Sequence, residues 1–215
     1  MRLSLSLSLV VLSCLLCSCG TERRARPLHP IAGFSVLAEH ASASDALPRQ
    51  IAEALELSTT PEFNHADLAA ARQVLPDNPV WLLPSMSGEL CLAALDYPLV
   101  KQSGNHVLPP ITSNECSTKS EALEGKLVVT RSLGTTARTA HGFARVYGVV
   151  PDGVEQIRVF FRHGHVASYA AIRNGYEAVV DDPERIEIKT RRAGHSITEI
   201  VPLTMPSITN DLPAR

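Results

Sequence analysis

The chain has 215 residues, enough for one ordinary domain or two small ones, and its 45% hydrophobic and 20% charged residues are typical of a globular protein. The formal net charge of −2 provides no cationic field of the kind that a duplex-binding protein needs, so we expect no nucleic-acid partner. The 15 Pro and 12 Gly residues favour short elements joined by many turns.

The first residues of the chain carry the strongest functional signal. An apolar run from Leu3 to Leu16 is too short for a transmembrane helix, which needs about 20 residues, but it suits the core of a signal peptide. The run ends in Leu-Cys-Ser-Cys, which resembles the lipobox of bacterial lipoproteins: a branched apolar residue, two small residues and the Cys that is lipidated. We therefore predict a signal peptide over 1–18, a lipidated, palmitate-bearing Cys19 and a flexible tether over 19–30.

Lipidation of Cys19 would attach the protein to a membrane, because two or three acyl chains hold a protein firmly. The predicted location is the cell membrane, on the side facing away from the cytoplasm. Three alternatives stay open: lipidation at Cys14, ordinary cleavage or a retained anchor, and an anchor that faces the cytoplasm. Arg23, Arg24 and Arg26 favour the last, since positive charge beyond an apolar run opposes export.

Two helices are predicted in the first part of the mature chain. One runs over Pro48–Leu57, with Ile51 and Leu55 on its apolar face. The other runs over His65–Leu75, with Asn64 as its N-cap.

A hairpin and a cysteine pair follow. The segments Val80–Leu83 and Glu89–Ala94 predict two strands joined by a turn, with Cys91 on the second. Tyr97–Glu115 has the composition of a loop, and Cys116 lies at its far end. An even pair of cysteines in an exported chain indicates a disulfide between Cys91 and Cys116. The alternative is two unrelated buried thiols; neither Cys has the close partner that a zinc site needs.

The segment Phe143–Asn174 has the best-specified pattern in the sequence: strand, tight turn, strand, tight turn, strand. Its first strand, Phe143–Val150, is apolar on both faces and is predicted to be central. The Asn-Gly pair at Asn174 is typical of a hairpin turn. A further hairpin is predicted from Ile186–Thr190 and Ile197–Val201. We expect a β-meander at the centre of a sandwich.

From Phe143 to Val201, this alternation of strands with Pro-Asp-Gly and Asn-Gly turns resembles the small immunoglobulin-like modules common on bacterial surface proteins. Most of the mature chain is similar to uncharacterised secreted or lipid-anchored actinobacterial proteins. The segments that carry this similarity are Asp45–Pro48, Trp81–Pro84, Gly88–Leu92, Cys116 and Val150–Val154. The resemblance implies an immunoglobulin-like C-terminal module and carries no activity that could be transferred.

The expected fold class is α+β, mainly β, with one globular domain over 31–203 and a tail over 204–215. Within the domain, 31–125 would hold two short helices and the disulfide-pinned hairpin. Residues 126–203 would form a small antiparallel β-sandwich of the immunoglobulin-like type.

No motif in the sequence predicts catalysis. It contains no Gly-x-Ser-x-Gly elbow, no phosphate-binding Gly-rich loop and no His-Glu-x-x-His. His163 and His165 flank a Gly and are weak candidates for a metal pair, but no third ligand is evident, so we expect no metal and no cofactor. Trp81 and Phe160 are interpreted as packing residues rather than a ligand platform.

Two function classes follow from this sequence. The first is a lipid-anchored, non-catalytic envelope protein that acts as a binding or structural module for an unknown protein, polymer or small ligand. The alternative is an exported, hydrolase-like enzyme whose site is not recognisable from sequence. A deep pocket with converging titratable groups would favour the enzyme.

Overall fold

A computed structural model describes residues 31–57, 65–96, 111–134, 143–181, 183–192 and 194–203. This part of the chain contains helices and a majority of antiparallel strands, which confirms the expected α+β, mainly β class. The predicted signal peptide, lipidation site, tether and tail lie outside the described residues.

The described residues form two α-helices, three 3₁₀ turns and eleven strands. The α-helices are α1 (Arg49–Glu56) and α2 (Lys119–Leu123). The 3₁₀ turns are Ser35–Ala38, Ala43–Asp45 and Leu68–Ala70. The strands are β1 (Arg72–Leu75), β2 (Val80–Pro84), β3 (Glu89–Asp96), β4 (Ile111–Thr118), β5 (Val128–Gly134), β6 (Phe143–Val149), β7 (Val154–Phe161), β8 (Val166–Tyr169), β9 (Gly175–Asp181), β10 (Pro183–Arg192) and β11 (His195–Pro202).

The strands pair into three antiparallel sheets. The N-terminal sheet has the order β1-β2-β3-β4, the middle sheet β5-β6-β9 and the outer sheet β11-β10-β7-β8. Strand β6 is central in its sheet, as its apolar composition on both faces predicted.

Three buried clusters show how the sheets are layered. Leu82 of the N-terminal sheet shares a core with Tyr147 of the middle sheet. On the opposite side of the middle sheet, Val146 shares a core with Ile157 of the outer sheet. The free side of the N-terminal sheet is covered by α1, whose Ile51 packs in a third core. The middle sheet is therefore the central layer, and the middle and outer sheets face each other in a sandwich-like arrangement.

This layering explains the burial of individual strands. All five residues of β2 are buried, since one of its faces contacts the middle sheet and the other contacts α1. Strand β7 instead alternates: Ile157 and Val159 are buried, while Arg158 and Phe160 between and beside them are partly exposed. A sheet with one covered face requires this period of two.

The predicted local elements are largely confirmed. Helix α1 lies within one residue of the predicted limits, and its Ile51 and Leu55 are buried. The hairpin of β2 and β3 is present, as is the hairpin of β10 and β11. The expected loop over Tyr97–Glu115 is wrong from Ile111 onward, where β4 begins; residues 97–110 lie outside the described part.

The helix predicted over His65–Leu75 is wrong. Asp67 caps only the short 3₁₀ turn Leu68–Ala70, and residues 72–75 form β1. The N–H of Gln73 donates to the carboxylate of Asp45 at 2.8 Å, and Gln73 pairs with Trp81 of β2. Because pairing with β2 also buries Val74, tertiary contacts override the local helical pattern here. The proposed N-cap, Asn64, is outside the described residues.

The predicted meander over Phe143–Asn174 is also wrong. Strand β6 belongs to the middle sheet, whereas β7 and β8 belong to the outer sheet. The Pro-Asp-Gly turn moves the chain from one sheet to the other, and the N–H of Asp152 donates to the carbonyl of Gly33 at 2.8 Å. At Asn174 the chain likewise changes sheets, and only a single bridge joins Ile172 and Gly175 instead of a hairpin. The immunoglobulin-like topology stays a prediction.

Candidate functional site

The predicted Cys91–Cys116 disulfide is present. The two residues lie directly opposite each other on β3 and β4, with their Cα atoms 4.1 Å apart. Cys91 is fully buried beneath α1, in the same core as Ile51. The bridge therefore ties two strands of the N-terminal sheet rather than a loop to a hairpin.

His163 and His165 lie between β7 and β8, and both are exposed. The ring of His165 is 5.2 Å from that of Phe161, in a tilted contact. Over the described ranges, no three His, Cys, Asp or Glu side chains are grouped so that they could hold a metal ion. The structure thus gives these two weak candidates no third donor among the residues it describes.

The most distinctive surface is the solvent-facing side of the outer sheet, called here the outer face. It is defined by residues that alternate with the buried Ile157, Val159, Ile186 and Ile188. Its members are Gln156, Arg158, Phe160, Arg185, Glu187, Lys189 and Arg191, together with Glu155, which lies at the irregularity in the β7–β10 register and contacts Lys189 and Arg191.

On the two inner strands of the outer sheet, near one end of the outer face, two arginines lie close to an aromatic ring. The guanidinium of Arg185 lies 4.0 Å from the ring centre of Phe160, and that of Arg158 lies 5.2 Å from it. The carboxylate of Glu187 accepts from Arg158 at 2.5 Å and from Arg185 at 3.2 Å. The β7–β10 register produces this group, because it places Arg158 opposite Glu187 and Arg185 opposite Phe160.

A second carboxylate of the outer face is also shared by two cations. Glu155 lies 3.0 Å from Arg191 and 3.5 Å from Lys189, and it accepts from the hydroxyl of Ser196 at 3.3 Å. At the rim, Glu184 contacts Arg185 at 3.3 Å. The face therefore carries four cations against two carboxylates, with Glu184 at its rim as a third, and surface ion pairs of this kind contribute about 0–1 kcal/mol each.

A separate polar cluster around Asn174 connects the N-terminal part of the domain to the sheets through hydrogen bonds. The Asn174 side chain is buried; it accepts from the N–H of Val36 at 3.1 Å and donates to the carbonyl of Val150 at 3.1 Å and to Asp152 at 2.9 Å. Burial would raise the pKa of Asp152, but hydrogen bonds from Asn174 and Ser35 outweigh it, so this pKa is lowered. The side chains of Asn174 and Asp152 both bind backbone groups of the segment at Ser35 and Val36, which indicates a structural role.

Beside the Asn174 cluster, Asp45 and Arg173 form a second group of polar contacts. Asp45 is buried and accepts from the N–H of Ser42 at 2.7 Å as well as from Gln73. Burial would raise the pKa of Asp45, but the hydrogen bonds from Ser42 and Gln73 and the charge of Arg173 lower it below its ordinary value. Arg173 also contacts Glu39 at 2.7 Å.

Sequence reasoning did not identify the outer face. The alternation of Arg158 and Phe160 with buried residues was visible and predicted a half-buried strand. The stacking on Arg185 was not visible, because it depends on which strand pairs with β7 and in which register. A guanidinium close to an aromatic ring is a favourable contact, and here it lies on the solvent-facing side of the sheet.

A comparison of the chain with protein-family models, with curated proteins and with solved structures finds no match. The helices described here are all too short or too polar to cross a membrane.

Proposed function

We propose that this protein is a lipid-anchored, non-catalytic module of the cell envelope that binds an envelope component through its outer face. The observation that carries the binding role is the group formed by Arg158, Phe160, Arg185 and Glu187 on an open four-stranded sheet. The anchor would be Cys19, with the domain on the non-cytoplasmic side of the cell membrane.

Two features support the location. The apolar run that ends in Leu-Cys-Ser-Cys is the first. The second is the disulfide between Cys91 and Cys116, since disulfides persist in oxidising compartments outside the cytoplasm and are rare within it.

The composition of the outer face supports binding of an extended polar ligand. Arg158 and Arg191 keep 42% and 67% of their side-chain surface exposed, so their remaining N–H groups are open to a ligand. The stacked arginines hold Phe160 in place and offer flat guanidinium planes above it. A sheet face suits a chain-like ligand, such as a polymer or a peptide, better than a small molecule that needs a concave pocket.

Photo-crosslinking in intact cells tests this role. A photoreactive residue in place of Lys189 should form one defined adduct, and mass spectrometry should identify the same component each time. The matched control places the same residue at Arg49, whose side chain is 90% exposed on α1 and remote from the outer sheet.

Reversing charge on the outer face, with Lys189→Glu and Arg191→Glu together, should reduce the yield of the adduct by about tenfold or more. Because Lys189 is itself substituted in this variant, the photoreactive residue here replaces Gln156, which is exposed and pairs with Lys189. An adduct that forms equally from position 49, or that survives the double substitution unchanged, would rule the outer face out as the binding surface.

A further inference from the structure

Strand β11 forms one of the two edges of the outer sheet. It pairs with β10 over His195–Pro202, and within the described residues no strand lies on its other side. Ile197 and Ile200 on this strand are 38% and 57% exposed. Natural proteins commonly protect such edges with charged side chains or Pro. Strand β11 has one acidic side chain, Glu199 on its core side, and Pro only at its last residue, so these devices protect it only in part. The rest of the strand can serve as a template for another strand.

The backbone of β11 has a defined set of open groups. The N–H of Leu203 donates to the carbonyl of Glu184 on β10 at 3.3 Å. Because N–H and C=O groups of successive strand residues point in opposite directions, the odd-numbered residues of β11 bond to β10. The N–H and C=O groups of Ser196, Thr198 and Ile200 therefore point to the open edge.

We propose that a second copy of this chain occupies the edge, with β11 antiparallel to β11 about a two-fold axis. When Thr198 lies opposite Thr198 of the second copy, Ser196 of each copy lies opposite Ile200 of the other. Every open N–H group of both strands then meets an open carbonyl, so the edge is self-complementary in this register. Closed two-fold dimers are the commonest assemblies of identical chains.

Neighbouring registers are less favourable. A two-fold axis at Glu199 would set two carboxylates directly opposite each other, and like charges in that position are destabilising. An axis at Ile200 would set Thr198 opposite Pro202, which has no N–H to donate. An axis at Ile197 would set Ile200 opposite a residue that precedes the first residue of β11, so two of the in-strand pairs would be lost. The axis at Thr198 avoids all three penalties.

Side chains on the core side of β11 are consistent with this register. Ile197 would lie diagonal to Ile197 and to Val201 of the second copy, within reach of apolar contact, while Glu199 would lie opposite Ile197. On the other side, the two outer faces would join into one continuous surface, with Lys189, the neighbour of Thr198 on β10, on both sides of the axis. The pairing itself does not depend on the proposed function.

A charge-pairing experiment at Thr198 tests the proposal. The full chain is purified in detergent at a large excess of micelles, and its mass is measured by analytical ultracentrifugation. The unsubstituted chain should be a dimer. Thr198→Lys and Thr198→Asp should each weaken the dimer by about tenfold or more, because like charges then face each other at the axis. An equimolar mixture of the two variants should recover a dimer that contains one copy of each.

Ser168→Lys and Ser168→Asp are the matched controls, since Ser168 is exposed on β8, at the opposite edge of the same sheet. Both should remain dimers. A monomeric unsubstituted chain, or Thr198 variants that dimerise alone as well as together, would overturn the proposal. Dimerisation that begins only when the chain is shortened after Leu203 would overturn it as well, because the last residues of the same chain would then hold the edge.

Discussion

Two buried tyrosines of the middle sheet differ in the partners of their hydroxyl groups. The hydroxyl of Tyr147 accepts from Arg145 at 3.3 Å. The hydroxyl of Tyr176 has no hydrogen-bond partner within the described residues, and burial raises its pKa, so the group is neutral. The ring of Tyr176 fits against Gly148, where an added Cβ would lie 2.2 Å from it.

This difference predicts opposite effects of the same substitution. Tyr176→Phe removes a buried polar group that lacks a partner and should raise the free energy of unfolding by about 1–3 kcal/mol. Tyr147→Phe removes a hydrogen bond and should lower it by about 1 kcal/mol. Urea unfolding of both variants measures the two effects. A loss of stability in Tyr176→Phe equal to that in Tyr147→Phe would mean that the hydroxyl of Tyr176 is bonded.

At the scale of elements, the disulfide joins strands that already pair. Cys91 and Cys116 close a segment of 25 residues, for which the chain-entropy relation gives about 3 kcal/mol of stabilisation. The variant with both Cys91→Ala and Cys116→Ala should lose about that amount in denaturant unfolding. Addition of a reductant should destabilise the unsubstituted chain by a similar amount and leave the double variant unchanged. A double variant as stable as the parent chain would contradict this role.

Elements specified by local signals could be predicted from the sequence. Helix α1 has an apolar stripe through Ile51 and Leu55, and the β10–β11 hairpin has a turn between two alternating runs; both are observed. Strand β1 and the separation of β6 from β7 could not be predicted. Both depend on long-range contacts, such as the bond from Gln73 to Asp45 and that from Asp152 to Gly33.

The same distinction applies to the candidate site: features that depend on local sequence could be predicted, and features that depend on strand register could not. The disulfide could be predicted because Cys91 and Cys116 are the only cysteines beyond the predicted signal region, although β4 was not expected around Cys116. The outer face could not, because the group around Phe160 is assembled by the register of β7 with β10. Asn174 was expected to turn the chain, and it does so with φ of 66°, but its hydrogen bonds to two other segments of the chain were not foreseeable.

At the scale of the molecule, the structure stacks α1, the N-terminal sheet, the middle sheet and the outer sheet in that order. The described chain begins at Ile31, which packs against the core between the first two sheets. A tether over 19–30 would span at most about 40 Å when fully extended. If Cys19 carries the anchor, this length keeps the start of the domain within that distance of the membrane.

Mass spectrometry of the mature chain from fractionated cells tests the central claim most directly. The chain should be recovered from membranes, should begin at Cys19 and should carry acyl groups there. Cys19→Ala should abolish acylation and release the protein from the membrane fraction, whereas Cys14→Ala should change neither. A Cys19→Ala chain that is still acylated and still in the membrane fraction would contradict the account.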